Sequence, residues 1–240
     1  MKAKLFFVNL LLIIRGTMSE LYYNSLILPD LGRTLALLPE DVGVVWLLRH
    51  SLRPPLPDKI FGMQVDLTPE GVELAEKFGR SFPKRLVSVR SSPSKRCIQT
   101  GAALVSGTGT ALEVTLNPML GEPGAFVTEV EASRQALVQY GPLGMVERML
   151  QGELLGGGRS ITEGVRMMLN SILDSEPEPG TWHAEVTHDT LLSATLFCLE
   201  GRTQLVVEDW PRMLEGAALW RVPGGIRWIW RGTVYEREWP

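Results

Sequence analysis

Two stretches within the first 108 residues are built alike: a short apolar run, a loop, and an amphipathic helix opened by a proline. "VVWLL", Val44 to Leu48, is too short for a buried helix and reads as a strand. "LTPEGVELAEKFGRSF" follows it, with Thr68 as N-cap, Pro69 at the first helical position, and Val72, Ala75 and Phe78 recurring on one face. Leu86 to Arg90 reads as a second strand. "SSPSKRCIQTGAALV" then repeats the device, with Ser92 capping, Pro93 at the first helical position, and Cys97, Thr100, Ala103 and Leu104 toward the core. Strands that alternate with crossover helices build a parallel sheet covered on both faces. The expected fold class is therefore α/β, a three-layer αβα sandwich with a mostly parallel central sheet. A chain of 240 residues can supply one such domain with an inserted region.

From about residue 113 to 180 the texture changes to scattered glycines and prolines, which predicts an inserted cap. Its clearest element is "GGGRSITEGVRMMLNSIL", a glycine loop running into a helix with Ser160 and Glu163 as a capping box. No lysine follows the glycines as a phosphate-cradling loop would need, so the loop is expected to be mobile. "TWHAEVTH" alternates like a strand and gives way to the apolar helix "DTLLSATLFCLEG". "LWRVPGGIRWIW" predicts a terminal hairpin whose Trp220, Trp228 and Trp230 serve packing. Residues 1–19 read as a leader, either signal-like or upstream of a start at Met18, and too short in its apolar run to span a bilayer. A cytoplasmic location is expected, or export if that leader is a signal peptide. Cys97 and Cys198 sit in helical apolar patterns as free thiols. A net charge of -3 offers no field for nucleic acid, so any anion specificity must be local.

Three predicted strand ends carry such local groups. "WLLRHSLRPP" puts His50 between Arg49 and Arg53; "SSPSKRCIQT" puts Arg96 in a helix's first turn, where backbone amides also favour an anion; "THDT" puts His188 and Asp189 beyond the later strand. Carboxyl ends of parallel strands face one crevice, so these residues converge, and three arginines with two histidines call for an anionic ligand. His183, five residues before His188, falls on the opposite face of its strand and reads as structural.

These blocks resemble the histidine phosphatase superfamily, closest to its acid phosphatase branch. "RHSLRPP" resembles Arg-His-Gly-x-Arg-x-Pro, with Ser51 in place of the glycine and adding a side chain near the nucleophile. "SSPSKRCIQT" resembles the second arginine block, "THDT" the His-Asp signature, and "LTPEG" is also typical. The resemblance implies metal-independent phosphomonoester hydrolysis without a cofactor, on a small-molecule substrate. Neutral His50 would attack phosphorus. Arg49, Arg53, Arg96 and a protonated His188 would bind the phosphate oxygens, and Asp189 would protonate the leaving oxygen. In the superfamily's mutase branch the acid is a glutamate after the second block, which makes Glu122 the rival donor. Phosphoryl transfer within one substrate, or non-catalytic binding of a phosphorylated ligand, are the alternative functions. The histidines and cysteines show no metal-ligand spacing, and an arginine pocket repels cations.

Overall fold

The computed structural model describes residues 28–55 and 62–240; the leader expected over residues 1–19 lies outside them. A seven-stranded sheet runs in the order β3 (Val114–Leu116), β2 (Arg85–Ser91), β4 (Thr181–Thr187), β1 (Val44–Arg49), β5 (Gly216–Val222), β6 (Gly225–Trp230) and β7 (Thr233–Glu238). The first four strands are mutually parallel and the last three antiparallel. The expected hairpin is present as β5–β6. It extends the sheet, and β7 prolongs it through a two-residue turn at Arg231 and Gly232, with φ 50° and 73°. Positive φ at both positions is what a tight hairpin turn with the sheet's own twist requires.

Central β1 explains the three layers. It is buried along its whole length, and its alternating side chains feed two cores: Val45 and Leu47 one, Val44, Trp46 and Leu48 the other. Each such side chain contributes roughly 1.5–3 kcal/mol by leaving water. The second core is closed by α1 (Leu28–Ala36), α2 (Pro69–Ser81) and α3 (Lys95–Thr108), the first by α4 (Val130–Leu150), α5 (Ile161–Ile172) and α6 (Asp189–Leu199). Trp46 meets Phe82 edge-on at 5.0 Å, and Phe82 stacks on Trp182 at 4.0 Å. Trp220, Trp228 and Trp230 are buried in these cores. Among the described residues, no helix is long and apolar enough to cross a membrane.

Several local expectations need amendment. Val72 is exposed, while Ala75 and Phe78 are buried, because α2 turns a narrower face inward than its pattern suggests. Ser94 holds the N-cap position of α3, without a side-chain cap bond and two residues later than the Ser92–Pro93 start, and Ser92 Oγ faces His188 instead. Not all of residues 113–180 lies apart from the core: β3 is an edge strand and α5 packs against α6. The glycine loop is tied down as well. Gly157 O accepts from the amides of Thr128 and Glu129 at 2.8 and 3.1 Å, and Arg159 Nη1 donates to the carbonyls of Gly124, Ala125 and Val127 at 3.0–3.3 Å. The unforeseen α4 is broken at Gly141 (φ 67°, ψ 169°), with Pro142 inside it.

The start of α2 is pressed onto the loop after β1. Thr68 Oγ1 caps it by accepting from Gly71 N at 3.0 Å, Thr68 N donates to Leu52 O at 3.0 Å, and a Cβ on Gly71 would lie 2.2 Å from that oxygen. Gly71→Ala should therefore cost about 1–3 kcal/mol of stability in denaturant unfolding; a value within about 0.5 kcal/mol of wild type would mean that the loop gives way freely.

Candidate active site

Strands β2, β4 and β1 are adjacent and parallel, so their carboxyl ends open on one edge. The ladder continues past each end: His50 N donates to Thr187 O at 3.0 Å and Ser92 N to Val186 O at 2.9 Å. His50, Ser92 and His188 are thereby set by sheet register. A cavity of about 450 Å³ opens there, lined among others by His50, Arg53, Arg96, Glu122, His188 and Asp189.

His50 is 2% exposed. Its Nδ1 lies 2.8 Å from the Ser51 carbonyl, an acceptor only, so Nδ1 carries the proton and Nε2 keeps its lone pair. Burial, then repulsion by His188 and Arg96, hold His50 well below the usual histidine range, hence neutral. The side chain that Ser51 adds beside His50 does not face it. Its Oγ turns away and donates to Gly71 O at 2.6 Å, while its amide donates to Thr100 Oγ1 at 2.9 Å.

The arginines are only partly spent on protein partners. Arg49 Nη2 pairs with Asp189 Oδ2 at 2.6 Å and Nη1 donates to Pro211 O, which draws Arg49 out of the cavity lining. Arg96 Nη1 donates to Gly62 O at 2.6 Å and Arg53 Nη1 to Pro54 O at 2.9 Å. The buried Nε of all three has no hydrogen-bond partner among the described residues. Burial, then Arg96 and Arg49, depress Arg53; burial depresses Arg96, with Arg49 adding to it and Asp189 opposing. Guanidinium groups with unused donors in a cavity can receive an acceptor-rich anion.

His188 departs from the expected protonated state. Arg96 Nη2, which can only donate, lies 3.1 Å from Nδ1, so the ring proton sits on Nε2 and points to Ser92 Oγ at 2.9 Å. Burial and the Arg96 charge push its pKa down to about 3. The ring is neutral because burial and the neighbouring arginine charge together outweigh the opposing pull of Asp189. Cys97 lies beside it, with burial raising the thiol to about 11, too high for a nucleophile at neutral pH.

Two carboxylates face the cavity. Asp189 uses both oxygens as acceptors, Oδ2 from Arg49 and Oδ1 from Thr190 N at 2.9 Å. Burial pushes its pKa up, but Arg49, His50 and His188 outweigh that and hold it below the usual carboxylate range. Glu122 Oε2 accepts from Arg134 Nη2 at 2.8 Å and Nε at 3.3 Å. Glu122 reaches the cavity because Thr187 Oγ1 donates to Leu120 O at 2.7 Å and Gly121 passes Ser92 so closely that a Cβ would lie 2.6 Å from its Oγ. His183 stays outside the cavity lining, half-buried on β4. Among the described residues, no three His, Cys, Asp or Glu side chains gather as a metal ion would need. Ser92, Thr100 and Arg134 escape sequence reasoning. A serine beside a strand end offers a faint signal, whereas a helix arginine facing inward offers none.

The family model of the histidine phosphatase superfamily (branch 1) matches residues 45–211. Thus the superfamily agrees with the three blocks, while the matching model is that of branch 1 and the "THDT" resemblance points to acid phosphatases. Among curated proteins, none matches the chain. A structure titled mycobacterial hydrolase 2 is 20% identical, with a TM-score of 0.53, covering 81% of this chain and 92% of its own. Mycobacterial glucosyl-3-phosphoglycerate phosphatase with inorganic phosphate is likewise 20% identical, with a TM-score of 0.51, covering 80% and 99%. A phosphoglycerate mutase from Bacillus anthracis str. Sterne is 15% identical at a TM-score of 0.49, covering 83% and 94%. At these identities the two structures with TM-scores above 0.5 establish a shared fold. With the family model spanning the strand ends that carry His50, Arg96 and His188, the chain belongs to the histidine phosphatase superfamily.

Proposed function

We propose that the protein hydrolyses phosphomonoesters through a phosphohistidine on His50, without a metal. One observation carries this reading: a neutral, buried imidazole with an available Nε2 stands among three guanidinium groups whose Nε donors are unused. The arginines would spread the charge of the phosphoryl group over their donors and hold it in line with Nε2. The Nε2 lone pair forms the N–P bond as the P–O ester bond breaks, and the departing oxygen takes a proton from a carboxyl. That carboxylate then removes a proton from water. The water oxygen attacks phosphorus, the N–P electrons return to Nε2, and phosphate leaves.

An incoming phosphate would draw Arg96 from His188 Nδ1 and favour proton uptake on that ring, restoring the cationic role expected of it. Asp189 was expected to be the acid. Both its oxygens already accept, Oδ2 from Arg49 and Oδ1 from Thr190 N, and its pKa is depressed, which suits an ionised group that positions Arg49. Glu122, in the same cavity, accepts from Arg134 through Oε2 and is favoured as the proton donor through its other oxygen. Hydrolysis is favoured over mutase chemistry, because a mutase must hold a second anionic or hydroxylated end. The cavity's further cation, Arg134, is already paired with Glu122.

His50→Ala should lower kcat to below about one per cent of wild type while phosphate or vanadate still binds, and rapid quench of the wild type should trap acid-labile, base-stable phosphate on protein. Turnover above that level would sink the covalent mechanism. Arg96→Lys keeps charge but loses the fork, so kcat/KM should fall roughly tenfold or more; an unchanged value would remove Arg96 from the phosphate site. To separate the carboxylates, Glu122→Gln and Asp189→Asn are compared on an alkyl phosphate and on p-nitrophenyl phosphate, whose leaving group departs without a proton. Glu122→Gln should lose about two to four orders of magnitude on the alkyl ester and much less on the aryl one. Asp189→Asn should affect both equally; the reverse pattern would make Asp189 the acid.

A further inference from the structure

We infer that the substrate's leaving group is apolar, an alkyl or similar hydrocarbon phosphate; this rests on the phosphomonoesterase reading above. Arg53 and Arg96 line the floor of the cavity beside His50 and His188, and a single phosphate does not need about 450 Å³, a volume that suits a ligand-sized organic group. Above the floor the walls are Phe126, Leu137, Met145, Val146, Met149 and Leu191. Ser133, Thr190 and the Glu122–Arg134 pair are the polar side chains that join them, and that pair is mutually neutralised. A sugar or inositol ring would place several hydroxyls against these walls without hydrogen-bond partners, at a cost for each group left unpaired. A hydrocarbon would instead exchange water for methyl and thioether contacts.

The backbone explains how this chamber arises. α4 cannot run straight, because Gly141 adopts φ 67° and ψ 169° and Pro142 offers no amide to the helix. The break lets both halves contribute, Leu137 and Val138 before it and Met145, Val146 and Met149 after it, with Pro142 itself on the wall. Val138 is 62% exposed, an apolar side chain held at the cavity in contact with water.

The test is the series of n-alkyl phosphates from methyl to decyl, with glycerol phosphate as the polar comparison. In wild type, kcat/KM should rise about three- to fourfold per added methylene until the chamber is filled, and glycerol phosphate should fall below propyl phosphate. Leu137→Asn should flatten the rise; Met145→Gln, on the other half of α4, serves if that variant fails to fold. Calorimetric binding of the same series to His50→Ala reads the chamber without chemistry, and its affinities should climb in parallel. A flat series in both measurements, or a preference for glycerol phosphate, would overturn the inference while leaving phosphomonoesterase activity intact. Absence of turnover on every ester, with binding that still climbs with chain length, would instead sink the hydrolase reading alone.

Discussion

Three guanidinium groups drawn toward the ends of adjacent strands, with one carboxylate close enough to offset them, set the chemistry of everything nearby. Arg49, Arg53 and Arg96 repel one another across a poorly solvated floor, and Asp189 answers Arg49 directly at 2.6 Å. Burial, with their field added to it, keeps both His50 and His188 neutral. With its Nδ1 proton directed to the Ser51 carbonyl, His50 keeps the lone pair on Nε2. Removing one charge would therefore change the protonation of its neighbours as well as one hydrogen bond.

Such a cluster persists because the backbone beneath it has little freedom. β1 is buried on both faces and hydrogen-bonded on both edges, so the positions of Arg49 and His50 follow from register. The loop beyond is fastened by Ser51 to Gly71 and Thr100, which ties the nucleophile to the starts of α2 and α3. A serine in this place can look like an obstruction to phosphate. Its buried hydroxyl is instead part of the frame, and it leaves the cavity to His50.

How much of this can be read in the chain depends on the range of the interaction that decides each part. β1, β2, β4, α2 and α3 are legible because local patterns agree with the tertiary outcome: apolar runs of strand length, with Thr68 and Pro69 at a helix start. The convergence of His50, Arg96 and His188 is legible from strand order alone, since parallel strands must end together. α4 is not, because Gly141, Pro142 and Gly144 interrupt the helical period that would reveal it. β7, "TVYERE", is mostly exposed as an edge strand and carries little apolar signal. The neutrality of His188 and the roles of Ser92 and Arg134 depend on partners far away in sequence, so no local pattern encodes them. Arg159 likewise turns a glycine run that reads as mobile into a fastened loop through three carbonyls of another segment.

The cavity divides its work between two kinds of structure. Its floor is sheet register and helix starts, where a displacement of one residue would reverse every side chain, and in the proposed reaction it deals with the phosphoryl group that all phosphomonoesters share. Its walls come from a broken helix whose side chains can change without disturbing that register. Discrimination among esters must arise where the esters differ, on the leaving-group side. There this chain places methionine, leucine, valine and phenylalanine against a single neutralised ion pair. An apolar wall selects weakly per atom but accumulates with contact area, whereas a hydroxylated ligand is penalised for each unmet hydrogen bond. Selectivity here thus rests less on what the chamber grips than on the hydroxyls it leaves unpaired.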